Sequence, residues 1–234
     1  MRRHGASVFS CLATLSVLVK MFAYTKVQIQ EIFGSRGMVL IPKVARYFKA
    51  FKFVGRGIPL KQVSAADNLV VFTRCLDENE VDYFLTGGTL LGAIRQNSFA
   101  GQPGDIDLGI LEKEEKRMLE LEPTFALLGF IRDSNYRHFD DKLVFTKWRT
   151  PHVDIMIYRP IPRDNVEEVN LFRHRNAAGN EYVCNIDFSK PRNGSIFGFE
   201  FPVPTNSEEF IENQYGKSWR TPSAAKHSLI DRNR

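Results

Sequence analysis

Apolar and polar positions change period several times along the 234-residue chain, and each change marks an element. Residues 5–19 are apolar or small, follow the basic start Met1-Arg2-Arg3-His4, and stop at Lys20. Residues 25–60 lose any period and carry Gly34, Gly37, Gly55, Gly57 and Pro59 as breakers. Val63, Ala66, Leu69, Val70, Thr73 and Leu76 then recur at helical spacing, which predicts an amphipathic helix of four or five turns. A strand follows over 81–85, then a Gly-Gly-Thr turn and a short helix ending at Arg95. After a loop rich in Gly and Pro, Asp105-Ile106-Asp107 lies in a second apolar strand. Residues 112–128 predict a charged helix restarted at Pro123 and stopped by Gly129. Segments 130–132, 138–147 and 153–158 read as strands, with Asp140-Asp141 as turn residues. Residues 159–179 read as a loop or insertion, 181–186 and 196–201 as short strands, and Thr205 to Glu208 as a capping box. The helix it opens reaches Gln214, and Gly216 ends it.

This order gives one domain over 61–222, a stem over 25–60 and a fraying tail over 223–234. The apolar run within 1–24 has the length of a secretory signal and is short for a membrane span. It reads as an uncleaved signal anchor. A cleaved signal peptide and a buried amphipathic helix are the alternatives. The anchor predicts a single-pass type II protein of the Golgi or ER membrane with its catalytic domain in the lumen. Secretion is the runner-up. Cys75 and Cys184 are then either a lumenal disulfide or two buried thiols, and Asn193-Gly194-Ser195 is a glycosylation sequon. A net charge of +5 and a pI near 9.1 fit either a solvated surface or a phosphate-bearing partner. There is no zinc-finger spacing, RNA-recognition pattern or dense Lys/Arg stripe, so no nucleic-acid partner is predicted.

Chemistry is legible around the Gly-Gly-Thr turn. Strand alternation points Asp105 and Asp107 to one face, with their Cβ atoms roughly 6–7 Å apart. At an effective dielectric near 20 they repel by about 2–3 kcal/mol, which a divalent cation between them would relieve. Gly87 and Gly88 remove side chains where a phosphate would approach the backbone, and Thr89 adds a hydroxyl. Asp154 alternates with Val153 and Ile155 and is the expected third carboxylate from a neighbouring strand. Arg95 either meets a phosphate oxygen or caps its helix. The predicted site is thus Asp105, Asp107 and Asp154 as catalytic and metal-binding residues, with Gly87, Gly88, Thr89 and Arg95 for phosphate.

The run Gly87 to Arg95, followed by Phe99 and Asp105-Ile106-Asp107, resembles the LicD family, which includes bacterial phosphocholine transferases, fukutin and fukutin-related protein. The tail Phe201-Pro-Val-Pro through Glu209-Phe210-Ile211 and Gln214 to Pro222 is similar to that family's closing motif. The resemblance spans about residues 63–222. It implies an α/β (α+β) nucleotidyltransferase-like fold, a mixed sheet flanked by helices. It also implies a lumenal phosphotransferase using Mg2+ or Mn2+. Such an enzyme moves ribitol- or choline-phosphate from a CDP-alcohol to a glycan or glycoprotein hydroxyl, alone or with partner transferases. A non-catalytic relative that assists a partner enzyme, and an Asp-x-Asp glycosyltransferase, are the competing readings. One departure stands out. Many bacterial members carry Trp and further acids before the Asp pair, where this chain has Gln102-Pro103-Gly104.

Overall fold

In the computed structural model, which describes residues 58–101, 103–134, 141–161, 171–175, 181–190 and 192–222, the first predicted helix runs as α1 (Leu60–Glu78). Its buried face is broader than a single stripe and includes Leu69, Phe72, Cys75 and Leu76. Asn79 closes its last turn by donating from Nδ2 to the Cys75 carbonyl, 2.8 Å away. Phe72 is the centre of one core layer. Its ring stacks on Phe125 at 4.1 Å and meets Phe130 and Phe145 edge-on. Truncating such a buried ring costs about 3–5 kcal/mol.

The main sheet orders β1 (Phe84–Leu85), β2 (Asp105–Leu111), β5 (His152–Pro160), β4 (Lys142–Thr146) and β3 (Ile131–Arg132). Only β2 and β5 are parallel; the other neighbours on this path are antiparallel. A parallel pair needs a long crossover. Here a 3-10 turn (Glu112–Glu114), α3 (Glu115–Glu120), α4 (Glu122–Leu127), β3 and β4 lie between the two strands in the chain. Two-residue alternation divides the sheet. Ile106, Leu108, Ile110, Val153, Ile155 and Ile157 are fully buried on the face toward α1. The opposite face carries the acidic residues. It is covered by α2 (Gly87–Gln96), α5 (Ser207–Tyr215) and the hairpin β8 (Arg192–Ile196)–β9 (Phe199–Val203).

Several expectations need correction. The stretch predicted as loop over 159–179 contains β6 (Leu171–Arg175), which pairs with the far end of β5 and with β7 (Glu181–Asn185). The strand predicted over 196–201 is a hairpin. Phe197 (φ 51°) and Gly198 (φ 81°) both adopt left-handed backbone, as a tight two-residue turn between antiparallel strands requires. An apolar run with one glycine hides such a turn. The capping box is not formed. Thr205 Oγ1 instead donates to the Lys190 carbonyl, and α5 begins at Ser207 behind Asn206. Of the two alternatives for the cysteines the structure has the free thiols, Cys75 buried inside α1 and Cys184 half-buried on β7. Asp141 does lie in a turn, as expected, and is buried there. The helix over 112–128 does restart where proline demanded it, with Pro123 in the first turn of α4.

Residues 1–24, the stem up to residue 57 and the tail over 223–234 lie outside the described residues. Among the described residues, no helix is long and apolar enough to cross a membrane.

Candidate active site

The parallel register of β2 and β5 makes the site. Asp105 lies opposite His152, and Asp107 lies opposite Asp154. Adjacent strands are about 4.8 Å apart, so four polar side chains form a two-by-two block on one face of the sheet. Asp105 is exposed at the rim, while Asp107 and Asp154 are buried. Val144 on β4 faces Asp154, and Lys142, two residues along, is its diagonal neighbour on the same face.

The predicted glycines join this block directly. Rather than forming a turn before the helix, Gly87 and Gly88 are the first residues of α2. Gly88 N–H donates to Asp107 Oδ2 at 2.8 Å, and Thr89 N–H reaches the same oxygen at 3.4 Å. In return Thr89 Oγ1 accepts from the Asp107 N–H at 2.8 Å. The start of α2 is therefore capped by a carboxylate from β2, with the favourable sign for a helix N-terminus. Gly87 has φ 51°, and a Cβ there would lie 2.7 Å from Asp107 Cγ. Only glycine meets both demands.

Charge at the block is unbalanced. Burial, then the Asp105 and Asp154 carboxylates, push the Asp107 pKa up to about 7, against the Lys142 ammonium and the Gly88 N–H. Burial also raises Asp154, opposed by Lys142 and His152. Lys142 Nζ forms an ion pair with Asp154 Oδ2. Asp154 Oδ1 is 3.4 Å from His152 Nε2 yet is buried without a hydrogen bond. A buried carboxylate oxygen left bare costs on the order of 1–3 kcal/mol, more for a charged group, unless something occupies it. Asp105, His152 and Asp154 each present one ligand atom, all within 4.8 Å of one another. The residues thus fit a divalent cation, with two carboxylates and an imidazole as donors.

The tertiary structure adds residues that sequence reasoning missed. His152 and Lys142 belong to strands already singled out. The alternation that selected Asp154 would have selected His152 as well. Tyr215, near the end of α5, brings its hydroxyl toward Gly88, where a Cβ would lie 4.0 Å from it. Burial first, then Asp107 and Asp105, raise the Tyr215 pKa, and Arg95 lowers it. Arg95 itself donates from Nη1 to the Trp219 carbonyl at 3.2 Å, which ties α2 to the closing motif. Beside the block opens a cleft of about 460 Å³ lined by Lys61, Ser64, Gly104, Arg149, Thr150 and Pro151, together with Leu60. Gly104 and Pro151 immediately precede Asp105 and His152. Asn68 holds that rim in place, donating from Nδ2 to Thr150 Oγ1 and to the Pro151 carbonyl, both at 2.8 Å.

The family profile described as "LicD/FKTN/FKRP, nucleotidyltransferase domain" matches residues 80–206, just over half of the chain. That span holds every predicted site residue. Among curated proteins, the chain is similar to the uncharacterized protein RP689 of Rickettsia prowazekii (strain Madrid E). The two are 34% identical over 55 residues, 24% of this chain and 21% of that protein. It is also similar to the uncharacterized protein RT0683 of Rickettsia typhi (strain ATCC VR-144 / Wilmington). Here identity is 29% over 103 residues, 42% of this chain and 33% of that protein. The match therefore spans no more than a third of either relative's length. Among solved structures, a looser likeness links the chain to the lincosamide antibiotic adenylyltransferase LnuA in its lincomycin-bound form. The TM-score is 0.42 at 13% identity, over 61% of this chain and 82% of that one. The antibiotic-resistance factor ANT(2'')-Ia gives a TM-score of 0.44 at 15% identity, over 69% of this chain and 75% of that one. On the strength of the profile match across its glycine pair, its Asp-x-Asp strand and Asp154, the chain belongs to the LicD/FKTN/FKRP nucleotidyltransferase-domain family.

Proposed function

We propose that this chain is a metal-dependent transferase that moves an alcohol-phosphate, of the ribitol- or choline-phosphate type, from a CDP-activated donor to a glycan hydroxyl. The observation that carries this reading is the block of Asp105, Asp107, His152 and Asp154, with a buried, bare oxygen on Asp154. The family supports transfer of the nucleotidyl or phosphoryl type. The CDP-alcohol donor rests on the sequence resemblance.

A divalent cation bound by Asp105, His152 and Asp154 would supply charge neutralisation for the diphosphate. The chain's own residues do the rest. Asp107, fixed by Gly88 and Thr89, holds the start of α2 against β2 and so sets the distance between the helix and the carboxylates. Tyr215 brings its hydroxyl from α5 toward Gly88, at the same end of α2. In the transfer, the acceptor oxygen forms a bond to the β-phosphorus as the bond from that phosphorus to the bridging oxygen breaks, releasing CMP. The acceptor's proton passes to one of the block's carboxylates. The cleft beside Asp105 and His152, with Lys61 and Arg149 on its wall, takes the acceptor.

CMP release from CDP-ribitol and CDP-choline, with Mn2+ and a glycan acceptor, tests the reading, and Asp107→Asn is the control. Release from neither donor, with metal binding intact, would turn the assignment toward a non-catalytic partner of another transferase. Turnover of a UDP-sugar would turn it toward a glycosyltransferase. The same reading carries a lumenal setting in the Golgi or ER, with residues 1–24 as anchor. Protease protection of the domain in sealed microsomes checks that part separately.

A further inference from the structure

Leu127, Ile131 and Trp148 are 90%, 56% and 84% exposed, and Leu128 beside them is exposed as well. Apolar residues exposed singly are ordinary, but these four gather at one edge of the main sheet. Ile131 lies opposite Thr146 in the β3–β4 pair, and Trp148 follows Thr146 by two residues. The link between Leu128 and Ile131 lies against the same strand end, since a Cβ on Gly129 would be 3.6 Å from Lys147 Cε. Lys147 Nζ in turn sits 4.5 Å from the centre of the Phe130 ring. Trp148 stands on a firmly built turn. Thr150 N–H donates to the Lys147 carbonyl at 3.1 Å. Arg149 takes left-handed backbone (φ 56°) at the position where such a turn favours glycine. Asn68 fastens the turn through its bonds to Thr150 and Pro151. The Arg149 guanidinium then lies 4.9 Å from the centre of the Trp148 ring.

We propose that this edge is a membrane-docking face, which rests on an anionic lipid surface with Trp148, Ile131 and Leu127 at the acyl boundary. It is distinct from the anchor expected over residues 1–24, and it does not depend on the transferase reading. Two features select lipid over a protein partner. Leu127 and Trp148 stand almost clear of the surface, and lipids close around such projections, whereas a protein partner needs a closely fitting surface. Cations also surround the indole. Lys147 and Arg149 flank it in the chain, and exposed Lys61 joins Arg149 on the wall of the neighbouring cleft. An indole at the level of the headgroups, with ammonium and guanidinium groups on lipid phosphates, is the chemistry of a lipid–water interface. The Glu122 carboxylate nearby is paired with Arg132 at 2.8 Å. Connectivity agrees with this placement. The apolar run over 5–19 is joined to the domain through Leu60, which is itself 72% exposed and lines the cleft with Arg149.

Tryptophan fluorescence of the full chain tests this. The other of the two tryptophans, Trp219, is buried, so the emission lost in Trp148→Phe reports this edge alone. The probe is a vesicle of phosphatidylcholine and phosphatidylglycerol with brominated acyl chains. Trp148 emission is expected to be strongly quenched, and several-fold less so in high salt or on phosphatidylcholine alone. Leu127→Ser with Ile131→Ser keeps both tryptophans and should lose most of the quenching. A chain that floats with the vesicles but keeps Trp148 unquenched would overturn the proposal, because an anchor over 1–24 could hold it there without seating this face. So would a chain that does not bind, equal quenching on phosphatidylcholine alone, or unchanged quenching in the double variant. Shielding of Trp148 from acrylamide that grows with protein concentration, without vesicles, would assign the edge to a second copy and also overturn it. CMP release without quenching would sink the docking face and leave the enzyme standing.

Discussion

The two ends of β5 both hold buried carboxylates, and they treat them in opposite ways. At the far end, Asp141 accepts from Arg159 Nε at 2.7 Å and from the Arg175 N–H at 2.9 Å. Arg159 also bonds Glu112 at 2.6 Å and lies 3.1 Å from Glu115. Both oxygens of Asp141 thus have a fixed partner. At the near end, three carboxylates share one lysine and one histidine, and an oxygen of Asp154 stays bare. A satisfied cluster holds strands together. An unsatisfied one, kept by the fold at a cost in stability, is a place built for something that arrives later. Acid content does not separate the two ends; the accounting of lone pairs does.

Removing Arg159 attacks the satisfied end and should have the largest effect. Arg159→Met strands the buried Asp141 and should lower stability by about 3–5 kcal/mol in urea unfolding. Mn2+ affinity of the folded fraction should not change. A loss of metal binding instead would mean the two ends are not independent.

The unsatisfied end predicts a pH dependence of definite sign. The Asp107 pKa in the fold, about 7 without metal, stands above its unfolded value of 3.8. The folded state therefore holds more protons between those values, and its stability falls as pH rises through that window. The contribution is up to about 4 kcal/mol. Thermal melts of metal-free protein from pH 4 to 7 should show the decline, and Asp107→Asn or saturating Mn2+ should flatten it. A rise over the same range would remove the idea of a charge deficit.

Next in size is Asp154→Asn, expected to cut CMP release by more than about 100-fold, roughly 2.7 kcal/mol, with Mn2+ affinity falling alongside. Unchanged Mn2+ affinity would exclude Asp154 as a ligand. Gly87→Ala asks the backbone to keep φ 51° with a Cβ against Asp107. It should cost about 1–3 kcal/mol in stability and lower activity through Asp107. If a melt and an activity assay both match wild type, the close approach of α2 to β2 is not needed. The smallest effect belongs to the cleft. Arg149→Gln should raise KM for an anionic acceptor by a few-fold, roughly 1 kcal/mol or less, and leave kcat alone. An effect on kcat instead would place the cleft in the chemistry.

Legibility in the sequence followed the range of the interaction. The α1 helix, the Asp-x-Asp strand and the restart at Pro123 rest on local spacing, and each appears in the fold. The facing of Asp105 and Asp107 was readable because a strand has period two. What failed needed a partner out of sight. Thr205 had the look of a cap until Lys190 claimed its hydroxyl. Residues 196–201 read as one strand because nothing local says that Phe197 takes left-handed backbone. The β6 strand lay in a polar stretch whose pairing with β5 and β7 decides its conformation.

The same division applies to the feature that matters most. The sequence by itself determined which side chains could carry the chemistry. A glycine pair, an Asp-x-Asp and a later aspartate at alternating positions are properties of neighbours along the chain. Only the tertiary structure decided that β2 and β5 run parallel in the register Asp107 opposite Asp154, because strand pairing is set by packing on both faces of the sheet. That register brought His152 to Asp105 and Lys142 to Asp154 and joined the glycines to Asp107 rather than leaving them open. A shift of one residue in β5 would have turned Asp154 into the core and Val153 toward the site. The carboxylates would be the same, and the site would be gone.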